Sequence, residues 1–213
     1  MQPYTGEILA LAQYPFFDVQ KYADYFNDPG LEKYTKLRAV TDALEPGSVF
    51  KALTMTMALQ GDEERKKTGL DPLFFPENRL RVSNGSFPKT SYKLKDGRKR
   101  NYLNKYMAIQ KSSNIFPGKW MQKMLEVYGE DWIRNQYIHL FGLGKKTGIE
   151  IPAEAKGRVP KPGKIHPNGT LEWSNPSPYT LACGHNILVN FIHMILIYAM
   201  IANGGYFVQP TII

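Results

Sequence analysis

The residues best suited to covalent chemistry are a serine and a lysine three positions apart. This Ser-x-x-Lys spacing occurs at 48–51 and again at 86–89. Pro88 lies inside the second match and disfavours a helix there. The first match follows a Pro-Gly turn and opens an apolar run, so it predicts a helix. A spacing of three then puts Ser48 and Lys51 on one face, beside the free amides of the helix N-terminus.

A lysine in an otherwise apolar helix loses solvation, which lowers its pKa and makes it a possible base. A base next to a serine hydroxyl is the arrangement that activates a nucleophile. The alternative is a helix-capping serine and a lysine whose stem lies along apolar surface. Taken alone, the motif favours this alternative.

Two further motifs contain polar groups that are candidates for chemistry. Ser112 and Asn114 form the only Ser-x-Asn in the chain, and a helix-ending turn is the structural alternative. Lys-Thr-Gly occurs at 67–69 and at 146–148. The cluster Cys183, His185 and His193 suggests a metal or cysteine-protease site, but its apolar setting favours a buried packing role.

The composition excludes several classes of protein. The chain has 213 residues, a net charge of +8 and 13% aromatic residues, too many aromatics for a disordered tail. The single cysteine excludes an internal disulfide and a multi-cysteine zinc site. The longest apolar stretch, 187–202, contains Asn190 and His193 and is shorter than the roughly 20 residues of a membrane span. A buried helix is the prediction there. No cleavable signal is visible at the start.

The positive charge is concentrated in residues 89–105, hereafter the basic segment. It holds seven Lys and Arg residues and one acid, Asp96, which leaves +6. Tyr92, Tyr102 and the preceding Phe87 lie among these charges, as they would on a surface for single-stranded nucleic acid. A solvated hairpin turning at Asp96-Gly97 is the favoured interpretation. A basic face also suits an anionic polymer or a membrane surface.

The remaining pattern predicts a strand at 5–13, loops and short strands over 61–100, and an irregular connection over 145–178. Turns are expected at Gly69, Pro72, Pro76 and Gly85. The predicted helices cover 48–60, 103–110, 118–128 and 130–140, the last two being separated at Gly129, besides 187–202.

Taken together and in order, these segments resemble the transpeptidase domain of class B penicillin-binding proteins, most closely of the division (septal) type. The resemblance lies in TGEILA at 5–10, RAVTD at 38–42 with EPGS at 45–48, SSN at 112–114, TGI at 147–149, IPAE at 151–154 and IANGG at 201–205. It implies an α/β fold of the α+β type, rich in helices beside an incomplete antiparallel sheet. It also reverses the interpretation of Ser48 as a cap.

By this resemblance Ser48 is the nucleophile, Lys51 its proton acceptor, and Ser112 and Asn114 the proton relay and the ligand of the substrate's peptide amide. The implied reaction is D-Ala-D-Ala transpeptidation between peptidoglycan stem peptides, with β-lactams acylating the same serine. No cofactor and no metal are implied. The implied partners are the stem peptide, β-lactams and septal division proteins, without nucleic acid. The implied location is the periplasmic face of the bacterial inner membrane.

Several family features are not found in residues 1–213, which we therefore expect to form a partial transpeptidase domain. The family's third motif, a Lys-Thr-Gly strand, follows the segment that matches 201–205, and the chain ends eight residues past Gly205. The match at 146–148 belongs to the Thr-Gly-Ile segment and is rejected as a substitute, and 67–69 is out of order. The membrane anchor and the N-terminal pedestal domain are also missing, as is the family's usual second glycine and Thr-Pro pair after Ala182. We expect this form to be inactive. The alternatives are a catalytically silent module that binds cell wall or division proteins, and a nucleic-acid binder based on the basic segment.

Overall fold

The computed structural model describes residues 1–74 and 79–213, and it divides into two compact units. Unit 1 comprises Met1–Leu44, Gly142–Arg158 and Leu188–Ile213, and unit 2 comprises Glu45–Phe141 and Val159–Ile187. Within the described residues, no helix is both long and apolar enough to cross a membrane. The turn predicted at Pro76 lies outside the described residues.

Helices and one short sheet make up the regular structure. The α-helices are α1 (Tyr22–Asn27), α2 (Arg38–Thr41), α3 (Lys51–Lys67), α4 (Lys105–Gln110), α5 (Ile115–Asn135), α6 (Ser177–Leu181) and α7 (Phe191–Ala202). The strands are β1 (Leu80–Arg81) and β2 (Tyr102–Leu103), and 3-10 turns cover Val19–Lys21, Glu32–Thr35 and Gly47–Phe50. A π-helical turn, Gln136–Leu140, continues α5. The predicted mixed, helix-rich class with a small antiparallel sheet is confirmed.

Unit 1 is built around α7, the helix predicted from the apolar stretch 187–202. Ile192 and Leu196 of α7 form a buried cluster with Val40 of α2 and with Ile149. The predicted strand at 5–13 is wrong. Only Glu7 forms a bridge, parallel to Thr211, and no second pairing follows to extend a ladder.

Unit 2 buries α3 and α5 against each other. The turn before α3 contributes Phe50 to this core, and α5 contributes Phe116 and Met121, all three with no exposed surface. Gly129 has a φ of +81° and a ψ of 174° inside α5, so the predicted break at this residue is confirmed as a kink. A glycine adopts this φ without the steric cost of a Cβ.

The basic segment forms most of an antiparallel hairpin, but the predicted turn at Asp96-Gly97 is wrong. β1 pairs with β2 through Leu80 and Leu103, and a second bridge joins Ser86 to Lys93. The chain therefore reverses between Ser86 and Lys93, and Asp96 lies on the returning arm. The Asp-Gly pattern is a local signal, and here the Asp96 side chain binds a helix instead of its own turn.

Candidate active site

The turn that carries Ser48 places it one turn before Lys51. Gly47–Phe50 is a 3-10 turn, and the Lys51 amide that ends it donates to the Ser48 carbonyl. Residues three apart in a 3-10 helix lie on the same side. The Ser48 side chain is exposed, as a nucleophile must be to reach a substrate.

Lys51 is buried, with 3% of its surface exposed, at the first position of α3. Its Nζ donates to the Ser112 carbonyl oxygen at 2.7 Å and to Ser112 Oγ at 3.0 Å. Burial lowers the pKa of Lys51, and the nearby Cys183 and Asp96 oppose that effect. Burial also raises the pKa of the Cys183 thiol to about 12, so this thiol is neutral at pH 7. Asp96 is therefore the anion that acts on Lys51 at that pH.

Ser112 lies in the connection between α4 and α5 with a φ of +50°, in the left-handed region. Non-glycine residues adopt this region rarely, and such backbone is common at functional sites. The conformation brings both oxygens of Ser112 to one amine. Three groups are predicted to exchange a proton: Ser48 Oγ, Lys51 Nζ and Ser112 Oγ. In the described contacts, Lys51 Nζ is hydrogen-bonded to Ser112 and not to Ser48.

Asn114 follows Ser112 on the same loop and is fixed from two sides. Its side-chain amide donates to the Lys95 backbone carbonyl at 2.7 Å, and its backbone carbonyl accepts from Cys183 Sγ at 3.4 Å. Cys183 is thus a buried packing residue in contact with this loop. The structure brings Asn114, Ser112 and Lys51 into one site.

Asp96 is the residue of this site that the sequence analysis missed. One carboxylate oxygen accepts from the amides of Asn114 and Ile115 at 2.7 and 3.0 Å, and the other accepts from Ser113 Oγ at 2.8 Å. The carboxylate thus satisfies free amides at the positive end of the 21-residue helix α5. The only available signal was that Asp96 is the one acid in the basic segment.

Residues 182–186 contact the residues just before Ser48, Glu45 and Gly47. Gly47 N donates to the Gly184 carbonyl at 2.9 Å, and a Cβ on Gly184 would lie 2.2 Å from Gly47 O. The Glu45 carboxylate accepts from Asn186 N at 2.6 Å and lies 3.1 Å from His185 Nδ1. The hydrogen bond from Asn186 N is the main cause of a lowered pKa of Glu45.

The other candidate motifs lie at a helix end, in a buried loop and in the hairpin. The first Lys-Thr-Gly ends α3, where Thr68 is the C-cap. In the second, Thr147 is buried in unit 1 and donates to Glu154 through its amide and its hydroxyl. Ser86 lies in the hairpin bridge and Lys89 has a φ of +59°, outside any helix. The described residues contain no group of histidine, cysteine and carboxylate side chains that could hold a metal ion.

Comparison with known proteins gives a consistent result over the whole chain. The model of the penicillin binding protein transpeptidase domain matches residues 1–213. The chain is 27% identical to the peptidoglycan D,D-transpeptidase FtsI homolog of Mesostigma viride and 29% identical to the stage V sporulation protein D of Bacillus subtilis, over its full length in both cases. It spans 33% and 29% of these relatives, about a third of their length.

Solved structures agree. A crystal structure described as a peptidoglycan glycosyltransferase from Burkholderia ambifaria matches 99% of this chain and 54% of its own, with a TM-score of 0.73 and 27% identity. The transpeptidase domain of Burkholderia pseudomallei penicillin-binding protein 3 matches 84% of this chain and 47% of its own, with a TM-score of 0.67 and 27% identity. The resemblance stated from the sequence is confirmed.

Proposed function

The chain belongs to the penicillin-binding protein transpeptidase domain family, and on that premise we propose that it carries the acylation site of a peptidoglycan D,D-transpeptidase. The observation that carries the proposal is the buried Lys51 amine, one turn from Ser48 and 3.0 Å from Ser112 Oγ. Relatives named peptidoglycan D,D-transpeptidases support the reaction class.

Acylation begins when neutral Lys51 Nζ takes the proton of Ser48 Oγ. The oxygen attacks the carbonyl carbon of the D-Ala-D-Ala peptide bond, and a tetrahedral oxyanion forms. The C–N bond then breaks, and the proton passes from Lys51 Nζ through Ser112 Oγ to the leaving nitrogen. D-Alanine departs, and the stem peptide remains on Ser48 as an ester. Asn114 binds the peptide amide of the donor.

Deacylation reverses these proton movements with a different nucleophile. An amine of a neighbouring stem peptide attacks the ester carbonyl, and its proton passes through Ser112 Oγ to Lys51 Nζ. The ester bond breaks, Ser48 Oγ recovers its proton, and a new amide joins the two strands. A β-lactam enters the same first step, but its leaving nitrogen stays attached by the opened ring. Because the substrate is cell-wall peptide, the site acts at the extracytoplasmic face of the bacterial inner membrane.

The test is covalent labelling. The protein, expressed at the full length that its gene encodes, is incubated with benzylpenicillin, and intact mass and peptide mapping locate the adduct. We expect one adduct on Ser48 that Ser48→Ala abolishes. Ser86→Ala, which removes the serine of the other Ser-x-x-Lys, keeps the adduct and is the matched control. Residues 1–213 alone, run in parallel, test whether the described site suffices.

Two outcomes would contradict the proposal. An adduct that persists in Ser48→Ala would assign the nucleophile elsewhere. A folded full-length protein that never becomes labelled would favour a catalytically silent module that binds cell-wall polymer or septal division proteins.

A further inference from the structure

The basic segment carries positive charge that the described residues do not neutralise. Its cationic side chains, from Lys89 to Lys105, are exposed or half-buried. Within residues 1–74 and 79–213, Lys66, Lys164 and His185 form ion pairs, and none is found for a cationic side chain of the basic segment. The positive charge of the segment is therefore available to interact with an anion outside the fold.

The one acid in the basic segment points inward. Asp96 accepts hydrogen bonds from Ser113, Asn114 and Ile115 at the positive end of α5. The carboxylate is therefore stabilised by the helix start. With seven cations and this one acid, the segment keeps a net charge of +6.

The basic segment is also in contact with the candidate site. The Lys95 carbonyl accepts from the Asn114 side chain at 2.7 Å, and Ser112, two residues before Asn114, binds Lys51 Nζ. Lys95, Arg98 and Lys99 are exposed, and Arg98 and Lys99 follow Lys95 by three and four residues in the chain. Exposed charges act on a site without strong screening when they lie within the Debye length, about 10 Å at 0.1 M ionic strength.

We propose that the basic segment is an electrostatic guide that concentrates anionic acyl donors at the Ser48 site. This inference rests on the proposed function and adds a role for the basic segment, which attracts the carboxylate that the donor peptide already carries. A basic wall beside a cleft raises the local concentration of anions and accelerates their association. An anionic membrane surface is the competing partner, and the experiment separates the two.

The experiment measures the second-order constant of acylation against salt with two probes. Benzylpenicillin is an anion, and its methyl ester is neutral with the same reactive ring. The test variant is Lys95→Gln/Arg98→Gln/Lys99→Gln. The control variant, Lys145→Gln/Lys146→Gln/Lys156→Gln, removes three exposed lysines of unit 1 and the same net charge. Complete labelling at saturating probe shows that each protein is folded.

For the wild type and the control, we expect the constant for benzylpenicillin to fall on the order of tenfold between 25 and 250 mM NaCl. The test variant starts near the high-salt value and changes little. The ester gives flat profiles with all three proteins. Identical salt dependence of the test variant and the wild type would overturn the proposal.

Retention on vesicles with anionic lipids gives the second readout. If the test variant loses salt-sensitive vesicle binding while its acylation constant matches that of the wild type, the basic segment is a membrane contact and the proposal is wrong. Failure of the proposed function looks different, because then no protein is labelled at Ser48 by either probe.

Discussion

Only a neutral Lys51 can take the proton of Ser48, so the protonation of one amine limits the proposed reaction. Burial lowers the pKa of Lys51, which increases its neutral fraction at physiological pH. Asp96 acts in the opposite direction because a nearby anion favours the charged ammonium. Asp96, which orders the loop of Ser113 and Asn114, thus also reduces the neutral fraction of Lys51.

Asp96→Asn separates these two effects of Asp96. The amide oxygen still accepts hydrogen bonds from the start of α5, but the negative charge is gone, so the pKa of Lys51 falls further. The acylation constant rises with pH as Lys51 loses its proton, and we expect this rise to move to lower pH in the variant. Profiles of benzylpenicillin acylation from pH 5 to 9 check the shift.

The matched control for this change is Asp131→Asn, which removes an exposed carboxylate from the same helix α5. Its pH profile should follow that of the wild type. A profile of Asp96→Asn that keeps the wild-type midpoint, in a protein of unchanged thermal stability, would show that Asp96 has no electrostatic effect on the base.

Sequence spacing predicted that Ser48 and Lys51 lie on one face, one turn apart, whereas their catalytic roles came from the family resemblance. The contact of Lys51 with Ser112 entered only through family resemblance, since 61 residues separate them. Asp96 was missed because its partners lie 17 to 19 residues further along the chain. A pattern of neighbouring residues carries no information about such a bond.

At the scale of elements, the sequence located the helices and the kink in α5 better than it located the helix boundaries. The helix predicted over 48–60 begins as a 3-10 turn and continues through α3 to Lys67. The apolar pattern stops at Gln60, but the charged last turns remain helical, with Lys66 and Glu63 paired at 2.6 Å. Periodicity locates the buried part of a helix and says little about an exposed extension.

Gly184 is the glycine on which the position of the Ser48 turn depends. Its φ is +80°, and a Cβ would lie 2.2 Å from Gly47 O and 2.6 Å from Phe50 Cβ. We expect Gly184→Ala to displace the turn and to lower the acylation constant by about tenfold or more, since small misplacements of reacting groups are costly. Acylation kinetics and thermal unfolding measure both effects.

Gly163→Ala is the control, because Gly163 has a φ of +73° but no heavy atom within 4 Å of the added Cβ. Both variants carry the strain of a left-handed alanine, about 1–2 kcal/mol. Only Gly184→Ala carries the clash. Equal acylation constants in the two variants would show that the contact of Gly47 with Gly184 does not position Ser48.

At the scale of the whole molecule, each unit is assembled from segments that are distant in the sequence. In unit 1, Glu154 accepts hydrogen bonds from Thr147, Gly148 and, at 3.4 Å, Asn190, which tie the segment Gly142–Arg158 to the start of α7. The sequence predicted α7 and the irregular connection, but not this assembly. Helix periodicity is a local property, whereas the pairing of segments depends on side chains that meet only in the fold.

We expect the start of α7 to make the stability of the protein sensitive to pH. Asn190 N donates to His193 Nδ1, and His193 Nε2 lies 2.7 Å from the Lys145 carbonyl. One ring nitrogen accepts and the other donates, so the neutral imidazole fits both bonds. Burial lowers the pKa of His193 below its ordinary value. As pH falls below about 6.5, His193 binds a proton in the unfolded chain but stays neutral in the folded chain, so the free energy of unfolding decreases.

His193→Gln removes this titration and keeps the helix start, because glutamine is a usual partner at this position of a capping box. We expect urea titrations to show a smaller loss of unfolding free energy between pH 7.5 and 5.0 in His193→Gln than in the wild type. The control is His139→Gln, at an exposed position of unit 2, which should show the same change in unfolding free energy with pH as the wild type.

Glu154 also loses its contribution to the free energy of unfolding on acidification, but at lower pH than His193. Burial raises its pKa, but the hydrogen bonds outweigh this and hold the pKa below the ordinary value, so its contribution declines only as pH falls through that lowered pKa. Equal slopes in His193→Gln and the wild type over pH 7.5 to 5.0 would therefore exclude His193 as the source of the upper transition.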